Sequence, residues 1–571
     1  MNIQRILLSL FLAVAAVFPI LAEKISLTPA PLSVKEGSGT YTLNKGLTIG
    51  TSGLSDEMAA EASKFAATLN KTTGLGATVL PDGKSDITIV TDSAVPDEGY
   101  TIAVTPEGVK IASSTPAGLF YAFQTLLRLL PPSVMAGLRA TGITYELPVV
   151  EITDNPRYPY RGFMLDVSRH FFDADQVKKM LDVMAAYKLN RFHWHLTDDQ
   201  GWRLPVPKYP ELTTVGATNQ NILRTNFDQQ RRWREGRFVE YGPFAYTSDE
   251  IRDIVAYAKE RHIEIIPEVD MPGHMVAAIH AYPQFSTDPE SKLVPDSITM
   301  DSEPIARIPG SHFTHNMWNI GGVSRDVLDI SNPEVMTFVQ DVVDVLADLF
   351  PYEYIHIGGD ECPTYAWKNS ESCQKLKNDL GLADERALQT WFTKQIADYA
   401  SQKHGRKIMG WNELITDDGA DIEMLKSFDP IIFCWYPPEP AVETANANGL
   451  KHIYTPTNGG YYINRSYKGF DKVGAVGDGA LTTTYTLNPP DNEHCIGVQG
   501  TFWTEQVDRP EDLEYLALPR LIAIAEQGWS YPENKDYADF MSRLRDETIM
   551  LDLAGYNYGR HQIEFPETDT K

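Results

Sequence analysis

The sequence contains little cysteine and little positive charge. Its four cysteines among 571 residues show no CxxC spacing, so we expect no structural zinc site. In an exported chain, four cysteines permit three disulfide connectivities, and the sequence does not choose between them. Lys and Arg number 50 against 77 Asp and Glu, which gives a formal net charge of -27. That acidic excess argues against a nucleic acid or an anionic membrane as a partner.

Long hydrophobic runs are confined to the N-terminus. Residues 1–22 contain one basic residue, Arg5, then an apolar stretch over residues 6–18 and a small-residue cleavage site at Ala22. This order is typical of a signal peptide. An uncleaved anchor is the alternative, but the stretch is short for a membrane span. We expect an exported protein, periplasmic or extracellular, without stable membrane insertion. The sequence leaves the oligomeric state open.

Length and pattern predict two structural domains. A chain of 571 residues is too long for one ordinary domain. A strand at 86–91, a hairpin across the turn at 106–108 and a helix at 115–130 predict a small N-terminal α+β domain. The predicted units are the signal peptide 1–22, the α+β domain 23–154, the catalytic domain 155–555 and a polar C-terminal tail 556–571.

From residue 155 onward, short strands alternate with helices. Eight strand candidates are rich in Ile, Val or aromatic residues, and several segments between them have helical apolar spacing. Eight such units close most simply as a (β/α)8 TIM barrel, so the predicted fold class is α/β. Two long loops, 218–246 and 285–326, should lie on the active-site face. The predicted strands are 162–167, 191–196, 264–267, 354–357, 407–409, 431–434, 452–454 and 497–501.

Residues suited to chemistry gather at the predicted carboxyl ends of these strands, where a barrel of this kind has its site. Acids and aromatics dominate, and neither a phosphate-binding glycine loop nor a metal cluster is among them. Trp faces stack on apolar sugar faces and ionised groups hydrogen-bond hydroxyls, so the set suits a neutral sugar. It comprises Asp166, Arg169, Asp198, His274, Asp360, Glu361, Trp411, Glu413, Trp435, Tyr462, Trp503 and Glu505.

The strongest single feature is the run Ile-His-Ile-Gly-Gly-Asp-Glu at 355–361. Its glycines let a substrate approach the backbone closely. Asp360 and Glu361 cannot both ionise cheaply in a dry pocket, so the pKa of one carboxyl should be raised. A carboxylic acid with a raised pKa can protonate a leaving glycosidic oxygen. The alternative interpretation is a surface acid pair after a turn.

Six motifs along the chain resemble those of glycoside hydrolase family 20, the β-N-acetylhexosaminidases. The resemblance covers nearly the whole chain after the signal peptide, and the N-terminal unit looks like the small α+β domain that precedes the barrel in this family. It implies an exo-acting, retaining enzyme that removes terminal non-reducing β-linked GlcNAc or GalNAc from oligosaccharides and glycoconjugates, with no metal and no cofactor. The motifs are RGFMLDVSRH (161–170), HWHLTDDQGWR (193–203), PEVDMPGH (267–274), HIGGDE (356–361), GWNE (410–413) and WTE (503–505).

The resemblance also implies substrate-assisted catalysis, in which the 2-acetamido carbonyl attacks C1 and forms an oxazolinium intermediate. Glu361 is then the general acid/base, and Asp360 orients the acetamido N–H and stabilises positive charge. Tyr462 hydrogen-bonds the acetamido carbonyl. Among the other matched residues, Asp198 and His274 support Glu361, Trp411, Trp435 and Trp503 wall the acetamido pocket, and Arg169 and Glu505 grip ring hydroxyls.

One position departs from the family pattern. Many relatives have Asp where this chain has Asn464, at the position that contacts the far side of the terminal sugar. Asn keeps hydrogen-bonding capacity but loses the charge. We expect a change in affinity or in the preference between gluco- and galacto-configured sugars. The alignment is less secure here, because Tyr461 sits beside Tyr462.

Three other functions fit parts of the sequence. His193 and His195 form the His-x-His that opens the metal site of barrel amidohydrolases, but later strand ends supply acids and Trp. Both histidines more simply pack and hydrogen-bond beneath the site. A non-catalytic sugar-binding protein would normally have lost Glu361. A disaccharide-releasing relative that resembles lacto-N-biosidases needs a deeper pocket, whose shape depends on the two long loops.

Overall fold

The computed structural model describes residues 25–220, 240–287, 299–300, 303–304, 326–457, 460–467, 471, 473–475 and 477–564. The predicted signal peptide and most of both long loops lie outside these residues. Across the described part of the chain, no helix combines the length and apolar character that crossing a membrane requires.

The N-terminal unit is a mixed seven-stranded sheet with helices packed against it. The predicted hairpin is confirmed, because Val104 lies opposite Val109 in an antiparallel pair. Phe65 and Phe123 stack with centroids 4.1 Å apart and join the two long helices. The strands are β1 Ser33–Thr42, β2 Thr48–Gly50, β3 Thr78–Leu80, β4 Ile87–Thr91, β5 Tyr100–Thr105, β6 Gly108–Ser113 and β7 Glu146–Asp154, in the order β1-β7-β5-β6-β4-β2-β3, and the helices are Asp56–Thr73, Pro116–Arg128 and Pro132–Met135.

Eight parallel strands then close into a barrel, which confirms the predicted fold. The ends of the barrel strands differ from the predicted ones by two residues at most. Apolar side chains from alternate positions, among them Met164, Met409 and Phe433, fill the barrel interior. In chain order the strands are β8 Tyr160–Asp166, β9 Arg191–His195, β10 Thr197–Asp198, β11 Gly201–Trp202, β12 Asn219–Gln220, β13 Glu240–Tyr241, β14 Glu264–Glu268, β15 Thr299–Met300, β16 Glu303–Pro304, β17 Tyr354–His356, β18 Lys407–Trp411, β19 Ile431–Cys434, β20 His452–Tyr454 and β21 Cys495–Phe502, of which β8, β9, β14 and β17 to β21 form the barrel.

Barrel helices begin where side chains satisfy free backbone N–H groups. Thr247 and Glu250 form the predicted capping box, in which each side chain accepts the other residue's N–H. Asn332 caps the next long helix, with Pro333 at its first position. The helices are Ala174–Ala186, Ser248–Lys259, Val276–Ala281, Pro333–Leu349, Tyr365–Asn369, Glu371–Asp379, Glu385–His404, Glu413–Thr416, Ile422–Lys426, Pro438–Ala447, Leu481–Thr486, Pro510–Ala517, Arg520–Trp529, Tyr537–Ala554 and His561–Glu564, with 3-10 turns at Pro210–Thr213, Pro283–Phe285 and Pro532–Asn534.

Buried ion pairs join the two domains at the amino end of the barrel, opposite the face that carries the candidate site. Arg161, in the first barrel strand, donates to both oxygens of Glu98 at 2.8 and 2.9 Å. Lys188 lies 3.1 Å from Asp154, whose oxygens also accept the indole N–H of Trp529 at 3.0 Å. Removing one member of such a pair would leave a buried charge uncompensated. The small domain therefore stabilises the barrel away from the site.

The C-terminal segment packs against the barrel over most of its described length. Residues 556–571 were predicted as a tail, but Tyr558 and Ile563 are only 5% and 1% exposed. The hydroxyl of Tyr515 also lies 3.2 Å from Nδ1 of His561. Residues 556–564 therefore belong to the barrel's packing, and 565–571 lie outside the described residues.

The cysteines are free thiols. Cys362, Cys373, Cys434 and Cys495 are all buried and none is joined to another. None of the three possible connectivities is therefore formed. Burial raises the pKa of the Cys362 thiol to about 12, which keeps it protonated and unreactive.

Candidate active site

A tight turn after β17 carries the two predicted catalytic carboxylates. Gly358, Gly359 and Glu361 have φ values of 66°, 90° and 46°. Residues with a side chain rarely adopt this left-handed region, whereas glycine enters it freely. A Cβ on Gly358 would lie 1.9 Å from Oδ1 of Asp270, so no larger residue fits there. The motif's glycines thus shape the turn that holds Asp360.

The two carboxylates differ in exposure. The Asp360 side chain is 10% exposed, whereas the Glu361 side chain is 42% exposed. Burial raises the pKa of the Asp360 carboxyl. Glu361 remains accessible to a leaving group that approaches from solvent.

His274 connects Asp198 with both carboxylates. Its Nδ1 lies 3.1 Å from Oδ1 of Asp198, and its Nε2 lies 3.6 Å from Oε2 of Glu361 and 3.8 Å from Oδ2 of Asp360. Burial alone would lower the pKa of the imidazole, but the charge of Asp198 holds that pKa well above its ordinary value. Nδ1 also lies 3.3 Å from Oδ2 of Asp199, so the protonated ring of His274 lies among four acids.

Arg169 is held by three acceptors. Its Nε donates to Gln200 at 2.7 Å, Nη1 donates to Asp166 at 3.2 Å, and Nη2 lies 2.7 Å from Oδ2 of Asp198. Burial by itself raises the pKa of the Asp198 carboxyl, but Arg169 and His274 hold it well below its usual range. A guanidinium has five N–H groups, so two remain for sugar hydroxyls. Asp166 and Gln200 are the residues that orient it.

The predicted aromatic residues come together in one continuous wall. The rings of Trp411 and Trp503 are 5.9 Å apart, and those of Trp503 and Tyr462 are 6.3 Å apart. Tyr462 lies 6.2 Å from Trp435 with nearly parallel rings. Arg169 lies over the Trp503 ring at 5.1 Å. This contact joins the wall to the ion-pair cluster that Arg169 forms with Asp166 and Asp198. Four flat apolar faces beside two carboxylates suit an acetamido sugar.

The structure separates Tyr461 from Tyr462. Tyr461 is fully buried and its ring packs against Tyr454, 6.0 Å away. Tyr462 instead faces Trp435 and Trp503, so it is the tyrosine available to a substrate. Asn464 is 4% exposed, and its Oδ1 is buried without a hydrogen-bond partner among the described residues.

Two further acids border the wall. Glu413 accepts the indole N–H of Trp435 at 2.8 Å. Burial, and then the charge of Asp360, raise the pKa of the Glu413 carboxyl well above its usual range. Burial also raises the pKa of the Glu505 carboxyl. The positive charge of Arg169 opposes this increase, and the negative charge of Asp166 adds to it. Glu505 therefore lies in the electrostatic field of the Arg169 cluster.

Beneath the wall lies a buried acid that is not among the predicted site residues. Glu268 at the end of β14 accepts from Trp411 Nε1 at 2.8 Å and contacts His195 Nδ1 at 2.5 Å. His193 Nε2 and His356 Nδ1 lie 2.8 and 3.0 Å from the same carboxylate. Both histidines of the His-x-His thus pack beneath the site. Glu268 is the last residue of β14, and this strand-end position is the same signal that predicted the other acids of the site.

Two family models match this chain. The model for the glycosyl hydrolase family 20 catalytic domain covers residues 158–532, and the model for domain 2 of that family covers residues 24–155. The chain belongs to glycosyl hydrolase family 20. It is a glycoside hydrolase of the β-N-acetylhexosaminidase type, as the sequence motifs predicted.

Individual members of family 20 are similar over most of this chain. It is 37% identical to a β-hexosaminidase of Porphyromonas gingivalis over 95% of its length, and the match spans 65% of that longer relative. It is 32% identical to a β-hexosaminidase of Akkermansia muciniphila, over 83% of this chain and 88% of the relative. The structure of a Vibrio harveyi exo-β-N-acetylglucosaminidase in complex with N-acetylglucosamine is 28% identical, with a TM-score of 0.76 over 93% of this chain and 78% of that one.

Three groups of side chains in this family 20 site have atoms that could ligate a metal. In each group the atoms lie within 4.8 Å of one another: His193, Glu268 and His356; Asp198, Asp199 and His274; and Asp270, His274 and Asp360. In the first two groups the acids already engage Trp411, Arg169 and His274. That the enzyme needs no metal stays a prediction, and activity after treatment with a chelator tests it.

Proposed function

We propose that this family 20 enzyme removes single β-linked GlcNAc or GalNAc residues from the non-reducing ends of glycans, with retention of configuration and with the substrate's 2-acetamido group as nucleophile. In this scheme the acetamido oxygen bonds to C1 as the glycosidic bond breaks, which gives an oxazolinium ion. Because the nucleophile is part of the substrate, the step is intramolecular and is favoured entropically.

Glu361 is the proposed acid/base. It gives its proton to the leaving glycosidic oxygen, and then takes a proton from the water that opens the oxazolinium ion at C1. Asp360 accepts the acetamido N–H and stabilises the positive charge of that ion. His274, between Asp198 and Glu361, keeps the acid/base carboxyl in place.

The sugar is held at its other positions by the ion-pair cluster and the aromatic wall. The two remaining N–H groups of Arg169 and the carboxylate of Glu505 are the proposed contacts for ring hydroxyls. Tyr462 is the proposed donor to the acetamido carbonyl, with Trp411, Trp435 and Trp503 around the methyl group. The buried, unpartnered amide oxygen of Asn464 is a further candidate acceptor for a sugar hydroxyl.

One observation carries this proposal: both carboxylates converge on the same imidazole nitrogen, 3.6 and 3.8 Å from His274 Nε2. Two carboxylates held beside one imidazole can act on neighbouring groups of one sugar, the leaving oxygen and the acetamido N–H. The arrangement therefore fits a nucleophile supplied by the substrate. The similar Vibrio harveyi enzyme forms a complex with N-acetylglucosamine, which supports an N-acetylhexosamine as the sugar.

The deciding experiment compares aryl β-glycosides of GlcNAc, GalNAc and glucose, with a thiazoline that mimics the cyclised intermediate as inhibitor. We expect turnover of the acetamido sugars only, inhibition by the thiazoline and loss of activity in Glu361→Gln. The control is Glu493→Gln, because the Glu493 side chain is 89% exposed and precedes β21, at the end of the barrel opposite the site. Hydrolysis of the glucoside at a similar rate would refute the acetamido nucleophile. The GlcNAc to GalNAc ratio, remeasured in Asn464→Asp, tests the specificity role of Asn464.

We also propose that the enzyme is exported and acts in the periplasm or outside the cell. The support is the signal-peptide pattern of residues 1–22. Sequencing the N-terminus of the protein recovered from the extracytoplasmic fractions should give a chain that starts at Glu23. A chain that stays in the cytoplasm with Met1 intact would contradict the proposal.

A further inference from the structure

Asp270 lies directly beneath the turn that holds Asp360. It follows β14 by two positions, is fully buried, and its Oδ1 accepts the Gly359 N–H at 3.0 Å. Gly358 has no side chain at the point where a Cβ would reach that same oxygen. The backbone before Asp360 is thus folded around the Asp270 carboxyl.

Two carboxyl oxygens in this contact lack a donor within the part of the chain that the structure describes. Oδ2 of Asp270 and Oδ1 of Asp360 are both buried, and neither has a hydrogen-bond partner among the described residues. One oxygen from each residue and a ring nitrogen of His274 lie within 4.8 Å of one another. Two adjacent buried carboxylates cannot both stay ionised cheaply, and a proton between them would satisfy both oxygens.

We propose that Asp270 is a positioning residue which works as a neutral carboxylic acid, donating its O–H to Oδ1 of Asp360 and so holding Asp360 as an oriented anion. The other oxygen of Asp360, on the side of His274 and Glu361, then faces the acetamido group. This inference rests on the proposed function, because it assigns Asp360 its role there.

The surroundings of Asp270 keep the proton on it rather than on Asp360. Burial, and then the negative charge of Asp360, raise the pKa of the Asp270 carboxyl well above its usual range, and Glu268 acts in the same direction. The His274 cation opposes them but lies closer to the accessible oxygen of Asp360. Cys362 and Glu361 on the turn itself, and Glu413 and Tyr462 across the site, are further titratable groups that face this contact.

Replacing Asp270 by Asn and by Ala separates this role from simple packing. The Asn amide can still donate to Asp360, so Asp270→Asn should keep kcat/KM within about tenfold of the wild type. It should also lose the alkaline decline that ionisation of Asp270 causes in the wild type. Asp270→Ala removes the donor, so kcat/KM should fall by about 10²-fold and thiazoline should bind more weakly. Its acid limb should move to higher pH, because Asp360 loses a hydrogen bond to its charged form.

An infrared difference spectrum gives a measurement that does not depend on turnover. At neutral pH the wild type should show a protonated carboxyl band that Asp270→Asn lacks, whereas Asp341→Asn, at a buried acid outside the site, should leave it unchanged. Absence of that band, or equal losses of kcat/KM in the Asn and Ala variants with melting temperatures intact, would overturn the proposal. If the wild type itself fails to cleave the GlcNAc glycoside, the proposed function fails, while the infrared result still decides the protonation state.

Discussion

Nε2 of His274 lies 3.6 Å from Oε2 of Glu361, while Nδ1 of the same ring lies 3.1 Å from Oδ1 of Asp198. The imidazole is buried and cationic, whereas Glu361 is the most accessible acid of the cluster. The positive charge of His274 therefore lies next to the Glu361 carboxyl, which must protonate the leaving group. The contribution of His274 to the rate should therefore depend on how much protonation the leaving group needs.

Replacing His274 by Gln should slow glycosides with poor leaving groups more than activated ones. Proton donation limits the cleavage of an alkyl glycoside, whereas an activated aryl oxide leaves without much help. We expect kcat to fall by about 10²-fold for the alkyl glycoside and by less for the aryl glycoside. His404→Gln is the control, because His404 pairs with Asp344 at the protein surface. Equal losses on both substrates would show that His274 does not act through Glu361.

Tyr462→Phe should lower kcat/KM far more than Tyr461→Phe. The Tyr462 hydroxyl is placed among the wall residues, and losing one such donor typically costs about 10²-fold in rate. The Tyr461 hydroxyl is buried without a partner among the described residues, so its removal should leave both activity and melting temperature close to wild type. Steady-state kinetics on the GlcNAc aryl glycoside makes the comparison. A larger loss in the Tyr461 variant would contradict the assignment.

Most of the barrel could be predicted from sequence because its strands carry a local signal. Parallel barrel strands are buried on both sides, so they appear in the sequence as short, continuous apolar runs such as Ile431–Cys434. Thr247 and Asn332 begin helices through contacts within a few residues. Tyr558 and Ile563 are buried by residues distant in the sequence, so local composition alone predicted a polar tail there.

The site was predictable in the same uneven way. Strand-end position and motif identified Glu361, Arg169 and Asp166, but not Gln200, which also orients Arg169. Gln200 contacts Arg169 only because β8 and the loop after β9 are neighbours in space. Asp270 stands inside the PEVDMPGH motif, yet its contact with the Gly359 N–H joins two separate strand ends. Contacts of this kind appear only when the barrel is closed.

Arg169→Lys should weaken substrate binding although the charge is kept. Lys cannot serve Gln200, Asp166 and Asp198 together and still offer donors to a sugar, because its ammonium is a single point with three N–H groups. We expect kcat/KM to fall by about 10²-fold, mainly through KM. Arg252→Lys is the matched control, because Arg252 and Asp348 form a pair that is 52% and 68% exposed. An unchanged KM in Arg169→Lys would remove Arg169 from the sugar site.

The stabilising effect of His195 should depend on pH with a definite sign. Burial by itself lowers the pKa of this imidazole, but Glu268 and Asp198 raise it to about 10 in the folded protein, from an ordinary value of 6.5. The folded state therefore binds the proton more tightly than the unfolded chain. The resulting stability is fully present below pH 6.5 and is lost as pH rises towards 10.

Melting temperatures of the wild type and His195→Gln, measured from pH 6 to pH 10, isolate this effect. Other buried groups titrate in or near this range, because burial lowers the pKa of Lys188 to about 8 and that of His193 to about 4. Lys188 lies at the amino end of the barrel and contributes equally to both proteins. His193 shares the Glu268 carboxylate with His195, so the difference between the two curves reports on the positive charge held around Glu268. We expect that difference to be largest near pH 6 and to shrink as pH rises. His494→Gln, at a position with a partly exposed side chain, should show no such trend. A constant or growing difference would mean that His195 is neutral between Glu268 and Asp198, and that the charge balance beneath Trp411 differs from the one these contacts indicate.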